Sequence, residues 1–359
     1  MNSLIIHFYK NKLKIQVDVN VKWHFRSDIH NVLKVTDNSI EVSFNNLIST
    51  FRNIPLYIDD DCYCGKGEFL LPLPLIDNPP KTLNVTINTT NPIIISGIGV
   101  VYDTITSEDQ FNKIFRRCYF MTNNFIQYEN IYFVYQPNHK QILQDMIKQF
   151  YDFFMNCNKF FDIVNKKVYT LNIVTSNELT TGGFGNISNG CFIYTNPNDN
   201  YTINLTKNKV IYHESFHHFN PGFGLTAKSY EGMWFREGFC EFFYAYILYG
   251  LKSKEFKNFV DDHRKAYKSN KYKNLTNQDL VNKLEHNFND DELRNLPYSR
   301  GCMFAEWLYE NNPNFLNIYK KIIVDINNGR KFTEEEIGKL LDSKHYNDFI
   351  VNGNIIPIF

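Results

Sequence analysis

Hydrophobic and polar positions alternate along the first hundred residues. Leu4-Ile-Ile-His-Phe-Tyr, Lys14-Ile-Gln-Val-Asp-Val-Asn-Val, Ser39-Ile-Glu-Val-Ser-Phe and Leu83-Asn-Val-Thr-Ile-Asn either repeat every two residues or are rich in β-branched side chains. That period belongs to a strand with one buried face. Pro55, Gly65, Gly67, Pro72, Pro74, Pro79, Pro80 and Pro92 cut the segment into short pieces. From about residue 105 the period changes. Between Asn138 and Phe161, apolar residues recur at three and four spacing (Ile142, Leu143, Met146, Ile147, Phe150, Phe153, Phe154), which predicts a long helix. The segments from Lys167 to Thr175 and from Cys191 to Thr195 read as strands separated by a Gly-rich turn. Beyond residue 250 the chain is more polar and helical. Gly250 stands at a C-cap position, and Asn312-Pro313 opens a helix with Phe315, Ile318, Tyr319 and Ile322 on its apolar side. Thr333-Glu-Glu-Glu336 is a capping box. The expected fold class is α+β and multidomain: a β-rich N-terminal domain over 1–104, a mixed α/β domain over 105–250, and a helical C-terminal region over 251–359.

Composition narrows the function. Lys+Arg and Asp+Glu number 38 each, so the net charge is zero, and the basic surplus of a nucleic-acid-binding protein is missing. Aromatic residues reach 16%, enough for a large aromatic core. The seven Cys are scattered; Cys62 and Cys64 sit beside Asp59, Asp60 and Asp61, but no second pair completes a structural metal site. Reduced thiols, the lack of a basic and apolar leader, and the lack of a long apolar run lead to an expected cytoplasmic location without a membrane span.

The chemistry concentrates between residues 209 and 250. Val210, Ile211 and Tyr212 lead into His213-Glu214-Ser-Phe-His217. On a helix, residues four apart share a face, so the two imidazoles can be offered to one tetrahedral ion, with Glu214 beside the ion's open position. Neutral imidazoles hold zinc without quenching its charge, and a bound water is then acidic enough for a carboxylate to deprotonate. Further on, Trp234-Phe-Arg-Glu237-Gly-Phe-Cys-Glu241 carries two acidic residues four apart in an apolar helix. A carboxylate buried there needs a cation or donors, which nominates Glu237 as third ligand.

His-Glu-x-x-His, nineteen residues from 218 to 236, and then Trp-x-x-Glu-Gly-Phe resembles the gluzincin metallopeptidases, in particular the M1 aminopeptidases and the related glycyl aminopeptidases of family M61. The gap is one residue longer than the usual M1 spacing, an increment a loop absorbs. The resemblance implies a thermolysin-like catalytic domain behind a β-rich one, and one Zn2+ per chain on His213, His217 and Glu237. Glu214 is then the proton acceptor. It also implies roles elsewhere. Gly182-Gly183-Phe184-Gly185-Asn186 aligns with the family's Gly-x-Met-Glu-Asn strand, which binds the substrate backbone and whose Glu clasps the free amino terminus. Gly185 stands where that Glu belongs, so strict aminopeptidase action is not implied; Glu178 and Glu231 are the spatial alternatives. Pro297-Tyr298-Ser-Arg-Gly301 matches the segment whose Tyr hydroxyl donates to the oxyanion. Glu241, one turn past Glu237, is either an acceptor that orients an imidazole or a salt-bridge partner.

His218 lies one residue off the metal face, and His24, His30, His263, His286 and His345 lack partners at ligand spacing. The expected function is therefore a zinc-dependent peptidase acting on peptides or proteins. Two alternatives stay open: an inactive gluzincin fold kept for binding, and a zinc hydrolase of a non-peptide substrate.

Overall fold

The computed structural model describes residues 1–9, 12–25, 30–44, 47–48, 56–58, 63–121, 124–135, 140–163, 168–175, 182–184, 189–195, 209–220, 230–287 and 289–357. Contacts divide the chain into two units, one of Met1–Tyr151 and Lys166–Ser215, the other of Asp152–Asn165 and Phe216–Phe359. The sequence-based boundaries at 104 and 250 fall elsewhere, and each contact boundary cuts through or beside a helix that no composition change marks.

In the first unit, the two-residue alternation becomes a buried and an exposed face. Ser3–Phe8 and Lys12–Val17 bury Leu4, Ile6, Phe8, Leu13, Ile15 and Val17. These strands lie in a six-stranded sheet ordered Thr104–Gln110, Thr82–Thr89, Ser3–Phe8, Lys12–Val17, Ser39–Phe44, His30–Thr36. Only Ser3–Phe8 with Thr82–Thr89 pairs parallel in it. A second six-stranded sheet runs Gly99–Val101, Ile93–Ile95, Cys118–Met121, Tyr63–Lys66, Leu56–Ile58, Leu47–Ile48. Short helices α1 (Gly67–Leu70) and α2 (Phe111–Arg116) add Leu70, Ile114 and Phe115 to the core.

The third sheet positions the site. Its order is Phe125–Tyr128, Ile131–Tyr135, Tyr169–Thr175, Gly190–Thr195, Gly182–Phe184. The central three strands are parallel, as a helical crossover requires, and both edges are antiparallel. Helix α3 (Lys140–Phe161) supplies one crossover. Phe150 on α3 meets Phe133 edge-on and stacks against Tyr169 and Tyr212. Tyr212 belongs to α4 (Lys209–Phe216). Ser215 on the same helix bonds Cys191 of the sheet at 3.3 Å, so α4 is fixed on the parallel strands by one ring and one hydroxyl.

The second unit is helical. A π-turn over Trp234–Gly238 feeds α5 (Phe239–Tyr249), followed by α6 (Lys254–Ser269), α7 (Asn277–His286), α8 (Asp291–Asn311), α9 (Phe315–Asn327) and α10 (Glu334–His345). Its core uses the aromatic surplus: Phe243 lies face to face on Tyr319 with ring centres 3.8 Å apart, ringed by Phe239, Phe315 and Phe160. Helix α6 buries Phe256, Phe259, Val260 and Tyr267 and turns its charged residues outward. The capping box at Thr333 and Glu336 forms as expected. Among the described residues, no helix is long and apolar enough to cross a membrane.

Candidate metal centre

Helix α4 ends at Phe216, whose carbonyl accepts from the N–H groups of both Phe219 and Asn220 at 2.9 Å. His217 therefore stands in the closing turn, one turn beyond His213. Both rings are buried, and Glu214 between them is half-buried. Its negative charge reaches Tyr169 and Cys191 of the parallel sheet. Burial pushes the phenol of Tyr169 well up and the thiol of Cys191 up to about 12, and Glu214 adds to both shifts. His218 stacks on Phe154 and takes no part in the cluster described below.

Asn220 joins the two halves of the motif. Its carbonyl oxygen lies 3.4 Å from Nδ1 of His217, and its side-chain amide donates to the carbonyl of Phe235 at 3.5 Å. Phe219's carbonyl accepts from Asn327 on α9 at 3.1 Å. Nothing in the sequence marks Asn220, since one buried Asn in an Asn-rich chain carries no pattern.

Glu237 comes from the π-turn. Oε1 accepts from Nε of Arg236 at 2.7 Å, and Oε2 lies 3.2 Å from Nε2 of His217. Oxygen thus faces both nitrogens of the His217 ring. A neutral imidazole can donate to only one of them, and a metal ion between Nε2 and the carboxylate would leave Nδ1–H to serve the carbonyl. The donor set fits zinc: Nδ1–H directed at a carbonyl fixes the tautomer and aims the Nε2 lone pair at the ion. Among the described residues, the ligand atoms of His213, His217 and Cys240 also lie within 4.8 Å of one another. Cys240 escaped the sequence reading because a lone Cys in an aromatic-rich helix looks like core packing.

The π-turn is held from outside. The indole N–H of Trp234 donates to Glu334 at the start of α10, and Asn277 donates to the same carboxylate oxygen at 2.9 Å. Burial raises the pKa of Glu334, the Trp234 bond opposes the rise, and the charge of Glu231 adds to it. Glu231 is thus near a second carboxylate. The carboxylate of Glu241 lies 3.3 Å from Nε2 of His263, an imidazole on α6.

Two glycines set where Tyr298 stands. A Cβ on Gly301 would lie 1.9 Å from the carbonyl oxygen of Trp234, and one on Gly238 would lie 2.4 Å from the Cα of Gly301. Helix α8 and the π-turn therefore touch backbone to backbone. Tyr298, half-buried on α8, is three residues before one glycine, and Glu237 is the residue before the other. Gly301→Ala is expected to cost about 3 kcal/mol, the upper range for an added methyl in a packed contact, and to lower the melting temperature by roughly 6–12 °C. A circular-dichroism melt within about 2 °C of wild type would contradict the contact.

Gly182–Phe184 forms the outer strand of the third sheet, with Gly182 opposite Tyr194, Gly183 opposite Ile193 and Phe184 opposite Phe192. Among the described residues its other edge carries no strand. Gly185, Asn186, Glu178 and Cys62 lie outside the described residues.

No family model and no curated protein matches the sequence. Solved structures do resemble the fold. An aminopeptidase N family protein from Idiomarina loihiensis superposes with a TM-score of 0.66 at 11% identity, covering 99% of this chain and 77% of that one. Yeast LTA4 hydrolase superposes with a TM-score of 0.51 at 12% identity, covering 99% and 68%. The chain has the α+β fold of these hydrolases.

Proposed function

We propose that this chain is a zinc-dependent hydrolase of peptide bonds, with His213, His217 and Glu237 as the residues that would hold the ion. The observation that carries the reading is the 3.2 Å approach of the Glu237 carboxylate to Nε2 of His217, where a neutral ring would leave two acceptors in opposition. The shared fold of an aminopeptidase N family protein supports it. Bound there, zinc supplies a Lewis acid and a water acidified toward pH ~7. Glu214 accepts the attacking water's proton and passes it to the leaving amine. Tyr298 donates its O–H to the charge that develops on the scissile carbonyl oxygen. The outer edge of Gly182–Phe184 offers N–H and C=O groups to an extended peptide, as an unpaired strand edge does.

Gly185 carries no carboxylate to clasp an ammonium, so, unless Glu178 or Glu231 takes that place, this peptidase is not restricted to free amino termini. Purified protein is expected to contain one zinc per chain. It should cleave amino-acetylated peptides at rates comparable to their free counterparts. Protein without zinc, or a peptide library left intact, would overturn the reading. A zinc protein that spares peptides but opens an epoxide or small amide would support the second reading, a non-peptide zinc hydrolase, which the resemblance to LTA4 hydrolase favours.

A further inference from the structure

We infer that the helical unit holds a binding site for one small monovalent anion, such as chloride, on the guanidinium of Arg300. Arg300 lies on α8 and is fully buried. Its Nη2 donates to the carbonyls of Lys273 and Leu275, both at 2.8 Å. Nε and Nη1 have no hydrogen-bond partner among the described residues. One N–H on Nε and two on Nη1 are therefore unspent. Among the described residues, the one group whose charge acts on Arg300 is the phenol of Tyr267, on α6.

A buried charge is costly unless it is paired. Burial pulls the Arg300 pKa down, yet a guanidinium keeps its proton at neutral pH and cannot discharge itself as a Lys would. Tyr267 does not supply the missing anion. Burial raises its phenol, against the opposing pull of the Ile356 N–H and of Arg300, so the phenol stays neutral. Its oxygen accepts from the N–H of Ile356 at 3.4 Å, and its O–H is a further donor beside the cation. A water molecule would satisfy the N–H groups and leave the charge unpaired; one negative ion does both. The walls set its size. Tyr267 is 1% exposed, and the tail packs on the Lys273–Leu275 turn so closely that a Cβ on Gly353 would lie 2.3 Å from the Leu275 carbonyl oxygen. Such an enclosure suits a monatomic ion and excludes a nucleotide or a peptide.

The test compares melting of the full chain in sodium chloride and in sodium gluconate at equal ionic strength, so that screening is the same in both. Chloride is expected to raise the melting temperature along a saturating curve, by roughly 3–6 °C once it exceeds its dissociation constant tenfold. Arg300→Met keeps the length, discards the charge and should melt alike in the two salts. Tyr267→Phe should need several-fold more chloride for the same rise. Crystals of wild type grown in bromide should show an anomalous peak within hydrogen-bond distance of Nε or Nη1, and this measurement decides if Arg300→Met does not fold. Equal wild-type melts in the two salts, a chloride effect that survives Arg300→Met, or bromide found on the surface only would overturn the site. Neither readout depends on zinc or on peptide cleavage, so the metal centre stands or falls separately.

Discussion

Glu214→Gln is expected to lower kcat by about 10²–10⁴-fold, the range that a positioned proton acceptor contributes, while zinc content and melting temperature stay at wild-type values. The expectation follows from how α4 is held. Tyr212 stacks on Phe150, and Ser215 bonds Cys191, so Glu214, which lies between those two anchors, has its backbone fixed. Gln has the same shape and hydrogen-bonding reach as Glu but cannot take a proton. Because Glu214 is not among the proposed ligands, its substitution should leave an ion held by His213 and His217 in place. Tyr169 and Cys191 would feel one negative charge fewer, which favours their ionised forms only slightly beside the burial that dominates both. Steady-state rates on a cleaved peptide, taken with metal analysis of the same samples, check this. A kcat within a few-fold of wild type at full zinc occupancy would remove Glu214 from the chemistry.

The elements that the sequence made legible are those whose period repeats. Ser3–Phe8, Ser39–Phe44 and Thr82–Thr89 lie within a residue or two of the alternating segments, and α3 ends at Phe161, as its three-and-four spacing predicts. The approach of Glu237 to His217 was legible for a different reason: a carboxylate in an aromatic helix needs a cation, and that need does not depend on loop length. What escaped has no period. The π-turn at Trp234–Gly238 adds a residue to a helix without altering its composition. Asn220 acts through its backbone carbonyl as much as its side chain. Pro297 lies inside α8, not at its start, where the missing N–H leaves the Leu293 carbonyl without its usual helical donor. Glu241 pairs with His263, a ring that ligand spacing alone had set aside. Gly238 and Gly301 were visible as letters in two motifs, but their mutual contact is a property of two distant helical segments.

That contact frames the second large effect. Tyr298→Phe is expected to reduce kcat by roughly 10²–10³-fold, the loss that follows removal of one donor to a developing oxyanion, with KM little changed because the bond forms only in the transition state. In the proposed mechanism the phenol must reach the group held at Glu237, and the backbone contact between their two elements limits where it can stand. With no Cβ on Gly238 or Gly301, α8 seats against the carbonyl of Trp234, and Trp234 is itself held through its indole by Glu334. Ser299 ties the same turn of α8 back to the Leu296 carbonyl at 3.3 Å. A flexible loop would let water or another donor replace a lost hydroxyl; a helix clamped at Gly301 would not. The Phe variant removes one oxygen from a half-buried ring, so its melt should match wild type. The informative comparison is with Gly301→Ala, which keeps the hydroxyl but shifts its helix. If position is what matters, Gly301→Ala lowers kcat at temperatures where it is still folded. If Tyr298→Phe turns over like wild type, the oxyanion is met by another group and the segment from Leu296 to Gly301 is packing alone.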